Sequence, residues 1–335
     1  MTIPSLSSQD FSETLCAWQT QQGRHDLPWQ QSVSAYRVLV SEMMLQQTQV
    51  KTVIDYFHRW MHRFPDLQTL AHASEDDVMS LWQGLGYYQR ARRLQQAAVY
   101  LLENHQGKFP RDLESLLLIP GVGRYTAGAI LSFAFDHYGP IVDGNVKRLF
   151  SRYFGIDEDI SSSKAEKKLW TLAHAYTPSK NNRQFAQALL DLGSTVCKPK
   201  ATLCDECPVH HSCFAFHNDC VSQLPFKASK KARPTKDGHF LWQHKQNQVL
   251  LEKRVSNGIW GALWCLPEVQ VPPKQREDLL DTFHHTFSHY KLHAHIWNTN
   301  VEMKSNYQWF SLSEIQNLGL PAPIKKWIHQ KIKSK

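Results

Sequence analysis

Four of the seven cysteines fall within seventeen residues, Cys197, Cys204, Cys207 and Cys213, in the spacing C-x6-C-x2-C-x5-C. Four soft thiolates this close along the chain suit one metal centre, either a cubane iron-sulfur cluster or a tetrahedral zinc. A segment tied at four points is a compact loop, whatever surrounds it. Zinc ribbons more often present two C-x2-C knuckles; here only Cys204 and Cys207 form one, and Gln184 to Val196 before them reads as a helix. The donor set favours iron-sulfur and leaves zinc open. Cys16, Cys220 and Cys265 stand alone and read as packing residues. The N-terminus carries neither a basic nor an apolar leader region, and no run reaches the roughly 18 apolar residues of a membrane span. The expected setting is therefore cytoplasmic, where free thiols outnumber disulfides.

The chain has 335 residues, long for one core at about 100 to 200 residues per domain. From residue 10 to about 195 helical spacing dominates, as in Val50, Val53, Ile54, Phe57, Trp60 and Met61, broken at Phe64-Pro65, Gly84-Leu85-Gly86, Phe109-Pro110 and Asp143-Gly144. After the cysteines a basic stretch ends at Pro234, and the texture changes to short β-favouring runs (238–243, 248–253, 293–297, 307–310) with a last amphipathic segment at 324–332. The expected division is a helical domain over 1–220, a linker over 221–236 and an α+β domain over 237–335. Lys and Arg number 38 against 30 Asp and Glu, a net +8 that favours a polyanionic partner without naming one.

Leu117 to Arg124 sets two glycines, Gly121 and Gly123, in a tight turn between helical segments. Backbone N–H groups at the following helix start can face a phosphate there, although a plain helix-turn-helix corner has the same pattern. The cysteine spacing, after this hairpin and Asp143, resembles the endonuclease III superfamily of DNA glycosylases. Within it, Ser41 to Val50 (SEMMLQQTQV) and Val142 to Arg148 (VDGNVKR) resemble the adenine-specific A/G mismatch glycosylases, the MutY family. The likeness covers nearly the whole chain. It implies a mainly α helix-hairpin-helix glycosylase domain with a [4Fe-4S] cluster on Cys197, Cys204, Cys207 and Cys213, followed by a C-terminal α+β Nudix-like domain. It also implies base-excision repair: hydrolysis of the N-glycosidic bond of adenine mispaired with 8-oxoguanine or guanine in double-stranded DNA, by a monomer associated with the nucleoid.

Adenine is a poor leaving group and its departure makes the sugar an oxocarbenium cation, so the reaction calls for an acid at the base and a carboxylate under the sugar. Glu42, read at the start of an apolar helix, would have its pKa raised by burial; Asp143, in a Val-Asp-Gly-Asn turn, would stay ionised on backbone and Asn145 amides. A helix-start glutamate and a simple turn or N-cap aspartate fit the same residues. The resemblance gives Glu42 the role of protonating adenine at N7, Asp143 that of stabilising the cation, and Asn145 that of orienting water and carboxylate. Tyr125 follows Gly-Val-Gly-Arg where bifunctional relatives carry a Schiff-base lysine, which implies a monofunctional enzyme with at most weak lyase activity through Lys147.

Other roles carry over from the family in the same way. Leu27 and Trp29 match the floor of the adenine pocket, and Gln47 and Tyr87 match residues that enter the duplex when the base is extruded. Arg92 beside Tyr87 is expected to reach phosphates. Phe287, Ser288 and His289 match the loop that reads 8-oxoguanine. Gly258 to Pro267 resembles the loop and strand preceding a Nudix helix, but Gln275 to Leu280 lacks the paired glutamates that hold magnesium, so this domain is expected to bind without hydrolysing. His25 and Ala186 depart from the family's residues at those positions. The alternatives are a thymine- or oxidised-pyrimidine-specific relative and a non-catalytic iron-sulfur DNA-binding protein.

Overall fold

The computed structural model describes residues 6–229, 232–256, 258–273, 275–287 and 289–333. It divides into two compact units, Met1–Gln68 with Gln96–Ser229, and Thr69–Gln95 with Lys230–Lys335. Residues 69–95, placed inside the helical domain by the sequence reading, thus group with the C-terminal segment.

The first unit is helical. The apolar spacing noted at residues 50–61 becomes the helix Val50–Arg63, which buries Val53, Phe57 and Trp60. Each such side chain contributes about 1.5–3 kcal/mol when withdrawn from water. A core of Phe11, Leu15 and Trp18 from Ser8–Gln22, Leu149, Phe150 and Tyr153 from Gly144–Phe154, and Phe185 and Leu189 from Asn182–Asp191 ties the N-terminal helix to the segment bearing the cysteines. Phe11 anchors it, its ring 4.8 Å from Tyr153 and 5.3 Å from Tyr176.

The helix Ala35–Leu45 is capped by Ser34, whose side chain accepts from Arg37 N, and it buries every residue from Val38 to Met44. A helix apolar on all sides belongs in a core. Glu42 therefore lies near its C-terminal end, one turn from Leu45, and not at its start as the sequence suggested; the true start, Ser34, has no acidic first turn. The glycine hairpin joins the helices Leu113–Leu117 and Arg124–Ala129. Gly121 takes φ +82, a backbone state that favours glycine, and Gly123 caps the second helix.

In the second unit the helix Glu75–Trp82 starts on Ser74, which accepts from Asp77 N, and Gln83 Nε2 donates to Leu320 O at 2.9 Å. Two four-stranded sheets follow. In the first, Thr235–Leu241 lies between Glu268–Val269 and Lys291–Trp297, with Leu279–Thr286 at the far edge; in the second, Gln248–Lys253 pairs with His244–Lys245, Trp264–Cys265 and Tyr307–Ser311. The helix Ala322–Lys333 buries Ile324, Trp327 and Ile328. The four runs read as strands each fall on a strand, the first of which ends at Leu241 and not at Gln243. Where a Nudix helix would lie, the chain instead holds one 3-10 turn, Arg276–Asp278, and then the strand Leu279–Thr286. That strand is mostly exposed and rich in His and Thr, so it shows little apolar alternation; its pairing with Lys291–Trp297 defines it.

Candidate active site

The helical unit holds a cavity of about 860 Å³, large enough for a small ligand, lined among others by Leu27, Trp29, Glu42, Gln47, Tyr125, Asp143 and Asn145. Six of these seven were singled out as base-pocket or catalytic residues from the sequence, and Gln47 as a duplex-entering one. Leu27 and Trp29 come from the start of a 3-10 turn over Pro28–Gln30, held by Gln30, whose Oε1 accepts from Leu27 N and whose Nε2 donates to Arg24 O. Trp29 packs edge-on against Phe57 at 5.6 Å.

Glu42 is only 4% exposed, and Tyr125 Oη donates to its Oε2 at 2.6 Å. Burial pushes its pKa up to about 7, partly opposed by the tyrosine hydrogen bond and reinforced by the charge of Asp143. The same burial and the two carboxylates hold the Tyr125 hydroxyl well above the usual phenol range, so it stays a donor. Asp143 is the N-cap of Gly144–Phe154: its Oδ1 accepts from Val146 N at 2.7 Å and its Oδ2 from Asn145 Nδ2 at 2.8 Å. Burial moves Asp143 up from the ordinary carboxylate value, opposed by these hydrogen bonds and by Arg148. The turn-aspartate and N-cap readings are thus both true of this residue, and they coexist with its place in the cavity.

Several residues that support this arrangement were not legible in the sequence. Arg148 donates to Asn145 Oδ1 at 3.0 Å, to Gly193 O, and through Nε to Cys197 O at 2.7 Å, so one guanidinium joins the Asp143 turn to the first cysteine. A Cβ on Gly193 would stand 2.6 Å from Asn145 Cβ, which shows how closely that backbone approaches. Arg24 grips the fully buried Asp191 through Nε, Nη2 and its backbone N–H, and Gln187 Nε2 adds a further bond. Apart from the local bonds of Arg148 to Asn145 and of Gln187 to Asp191, these contacts join positions 45 to 167 residues apart, with no local motif to mark them.

The residues expected at DNA are placed as follows. Gln47 is exposed, directly after the Ala35–Leu45 helix, with φ +57. Gly123 is exposed at a helix start, with open space where a Cβ would stand. Lys147 pairs with Glu166, so its ammonium is engaged. In the other unit Tyr87 is 48% exposed with φ +49, after Gly84 and Gly86, both also left-handed. Arg92, expected to reach phosphates, is buried and donates to Ser256 O and Gln89 Oε1. Phe287 and His289 sit in the turn linking Leu279–Thr286 to Lys291–Trp297, where Phe287 N donates to Tyr290 O and its ring meets Trp260 at 5.3 Å. Ser288 lies outside the described residues.

Cys197, Cys204, Cys207 and Cys213 line one small apolar cavity with Leu149, Tyr153 and Val209. Four thiols on the wall of one small cavity are a soft donor set of the kind that holds an iron-sulfur cluster or a zinc ion. Burial and the neighbouring thiols push Cys207 up to about 12, a cost that a cation among the sulfurs would reverse. Arg152 Nη1 lies 3.3 Å from Cys197 Sγ.

Two family models match this chain, one in its N-terminal part and one in its C-terminal part. The HhH-GPD superfamily of base excision DNA repair proteins matches residues 40–175, and a NUDIX domain matches residues 238–330. Adenine DNA glycosylase of Buchnera aphidicola subsp. Schizaphis graminum is 37% identical, over 94% of this chain and 97% of its own. The human and rat adenine DNA glycosylases are each 34% identical over 94% of this chain, covering 73% and 77% of their own. Among solved structures, a thermostable thymine-DNA glycosylase aligns with a TM-score of 0.56 at 25% identity over 63% of this chain and 97% of its own. A non-covalent endonuclease III–DNA complex aligns at 0.53 and 22% over 64% and 98%, a likeness of fold. The chain belongs to the adenine DNA glycosylase family, enzymes of base excision repair.

Proposed function

We propose that this glycosylase hydrolyses the N-glycosidic bond of adenine mispaired with 8-oxoguanine or guanine in duplex DNA, working as a monomer on nucleoid DNA and leaving an abasic site. The observation that carries the reading is the meeting of two carboxyls in one cavity: Glu42, raised by burial to about 7, and Asp143, also raised by burial but opposed by an amide, backbone N–H groups and a nearby guanidinium. Glu42 is the acid. Tyr125 donates to Oε2, which leaves Oε1 to carry the proton toward adenine N7. Asp143, ionised, stabilises the oxocarbenium-like sugar, through a transient covalent adduct, and Asn145 fixes that carboxylate and the attacking water. Leu27 and Trp29 stack against the extruded base, while Gln47 and Tyr87 enter the duplex. Gly121 and Gly123 present backbone N–H groups to a phosphate. Phe287, Ser288 and His289 read the 8-oxoguanine strand.

Cys197, Cys204, Cys207 and Cys213 would hold a [4Fe-4S] cluster, which supplies a structural tie within the loop. With a hydroxyl at Tyr125 where a Schiff-base amine would be needed, cleavage stops at the abasic site. The test is single-turnover base release from duplexes holding A opposite 8-oxoguanine, A opposite G, A opposite T, and oxidised pyrimidines. Adenine release from the first two supports the reading; release of thymine or oxidised pyrimidines in its place overturns it.

A further inference from the structure

The strand that opens the C-terminal sheet domain, Thr235–Leu241, pairs in parallel with Lys291–Trp297, setting Asp237 opposite His293 and His239 opposite His295. On the other side of Lys291–Trp297, the antiparallel strand sets His284 opposite His293. Side chains alternate along strands, so Asp237, His239, His284, His293 and His295 all project from one face of the sheet. His295 Nε2 lies 2.9 Å and His293 Nδ1 3.2 Å from the same atom, Asp237 Oδ1, and the three donor atoms lie within 4.8 Å of one another. Around a zinc ion with bonds of about 2.0–2.1 Å, two ligand atoms at tetrahedral corners stand about 3.3 Å apart. The two distances to Asp237 Oδ1, 2.9 and 3.2 Å, are already close to that spacing.

The rings are held in place by their neighbours. His293 stacks on His284 with centroids 4.4 Å apart and planes 19° apart, and His295 packs against His239 at 5.0 Å. Because their partner strands are hydrogen-bonded through this register, bringing the donors together costs little further ordering. Asp237 is 61% exposed, so the remaining coordination position opens to water. Two imidazoles and one carboxylate form a borderline nitrogen-rich set, suited to zinc and its neighbours and not to magnesium or calcium, which take oxygen.

We propose that Asp237, His293 and His295 form a binding site for a divalent transition-metal cation of the zinc class, clamping the first strand after the linker onto its parallel partner. The site is independent of the cysteine loop and of the reading of the active site. Its effect is on the stability of the sheet domain, since a ligand that binds only the folded form raises the melting temperature.

The experiment uses the full-length protein with its iron complement intact, dialysed against micromolar Zn²⁺, with zinc and iron measured together. Wild type should retain about one zinc ion per chain with iron unchanged. His295→Ala and Asp237→Asn should weaken zinc binding about tenfold or more, while iron content and visible absorption stay at wild-type values. Added zinc should raise the melting temperature of wild type and leave both variants where they were. Zinc that is retained equally by the variants, zinc that enters only as iron is lost, or no zinc retained by wild type would each overturn the proposal.

Discussion

The Tyr125 hydroxyl donates a 2.6 Å hydrogen bond to Glu42 Oε2, across 83 residues of sequence, in a setting that buries the glutamate almost completely. The residue at the position where a Schiff-base lysine was sought is therefore also the hydrogen-bond partner that opposes the upward shift burial gives Glu42.

Glu42→Gln should abolish adenine release while mismatch binding survives, a loss on the order of 10² to 10⁴ or more in single-turnover rate. The same substitution should change stability with a definite sign. The folded pKa is raised from 4.5 to about 7, so the wild-type contribution is fully present below pH 4.5 and is lost as pH rises through about 7. Relative to wild type, the glutamine variant should gain on the order of 3 kcal/mol between pH 4 and pH 8. Urea titrations at the two pH values check this; a constant difference would show that the carboxyl is not desolvated.

Tyr125→Phe removes the hydrogen bond that holds Glu42 down, so its pKa should rise further. The alkaline limb of the pH–rate profile, near 7 in wild type, should move to higher pH by about one to two pH units, given the strength of a hydrogen bond to a charged group. The acid limb, belonging to Asp143, should move far less. An alkaline limb that stays in place would remove Glu42 from the role of acid.

Purified protein should leave the abasic product uncut until alkali is added, because Tyr125 supplies no amine. Borohydride trapping on substrate should be weak in wild type and stronger in Tyr125→Lys. Trapping of wild type in stoichiometric yield would point to Lys147, once released from Glu166, as a working lyase residue.

Cys207→Ser should lower iron content and the broad visible absorption together, and yield poorly soluble or poorly DNA-binding protein, because metal binding at such a loop is part of its folding free energy. Metal analysis of anaerobically prepared wild type returning zinc and no iron would contradict the cluster.

Arg92→Ala should destabilise the protein by about 1–3 kcal/mol, since it leaves Ser256 O and Gln89 Oε1 without their donor. It should leave the salt dependence of DNA binding unchanged, where loss of a phosphate contact would flatten it. Parallel denaturation and salt titrations separate the two.

Local pattern was sufficient for much of this protein. The spacing of Val53, Phe57 and Trp60 specifies a helix, the β-favouring residues of 248–253 and 307–310 specify strands, and four close cysteines specify one compact loop, because each signal is carried by neighbours in the chain. The motif segments around Glu42, Tyr125 and Asp143 were legible for the same reason. What joins them was not. That Tyr125 reaches Glu42, that Arg148 connects Asn145 to Gly193 and Cys197, and that Asp191 is neutralised by Arg24 all depend on helices brought together by core packing. Arg92 had the composition of a DNA-facing arginine and is buried, since exposure is a property of the packed unit and not of the residue. The Asp237, His293 and His295 trio shows the limit most plainly: two strands separated by about fifty residues of chain must pair in one register before three ordinary side chains share an oxygen atom, and register is decided by the sheet as a whole.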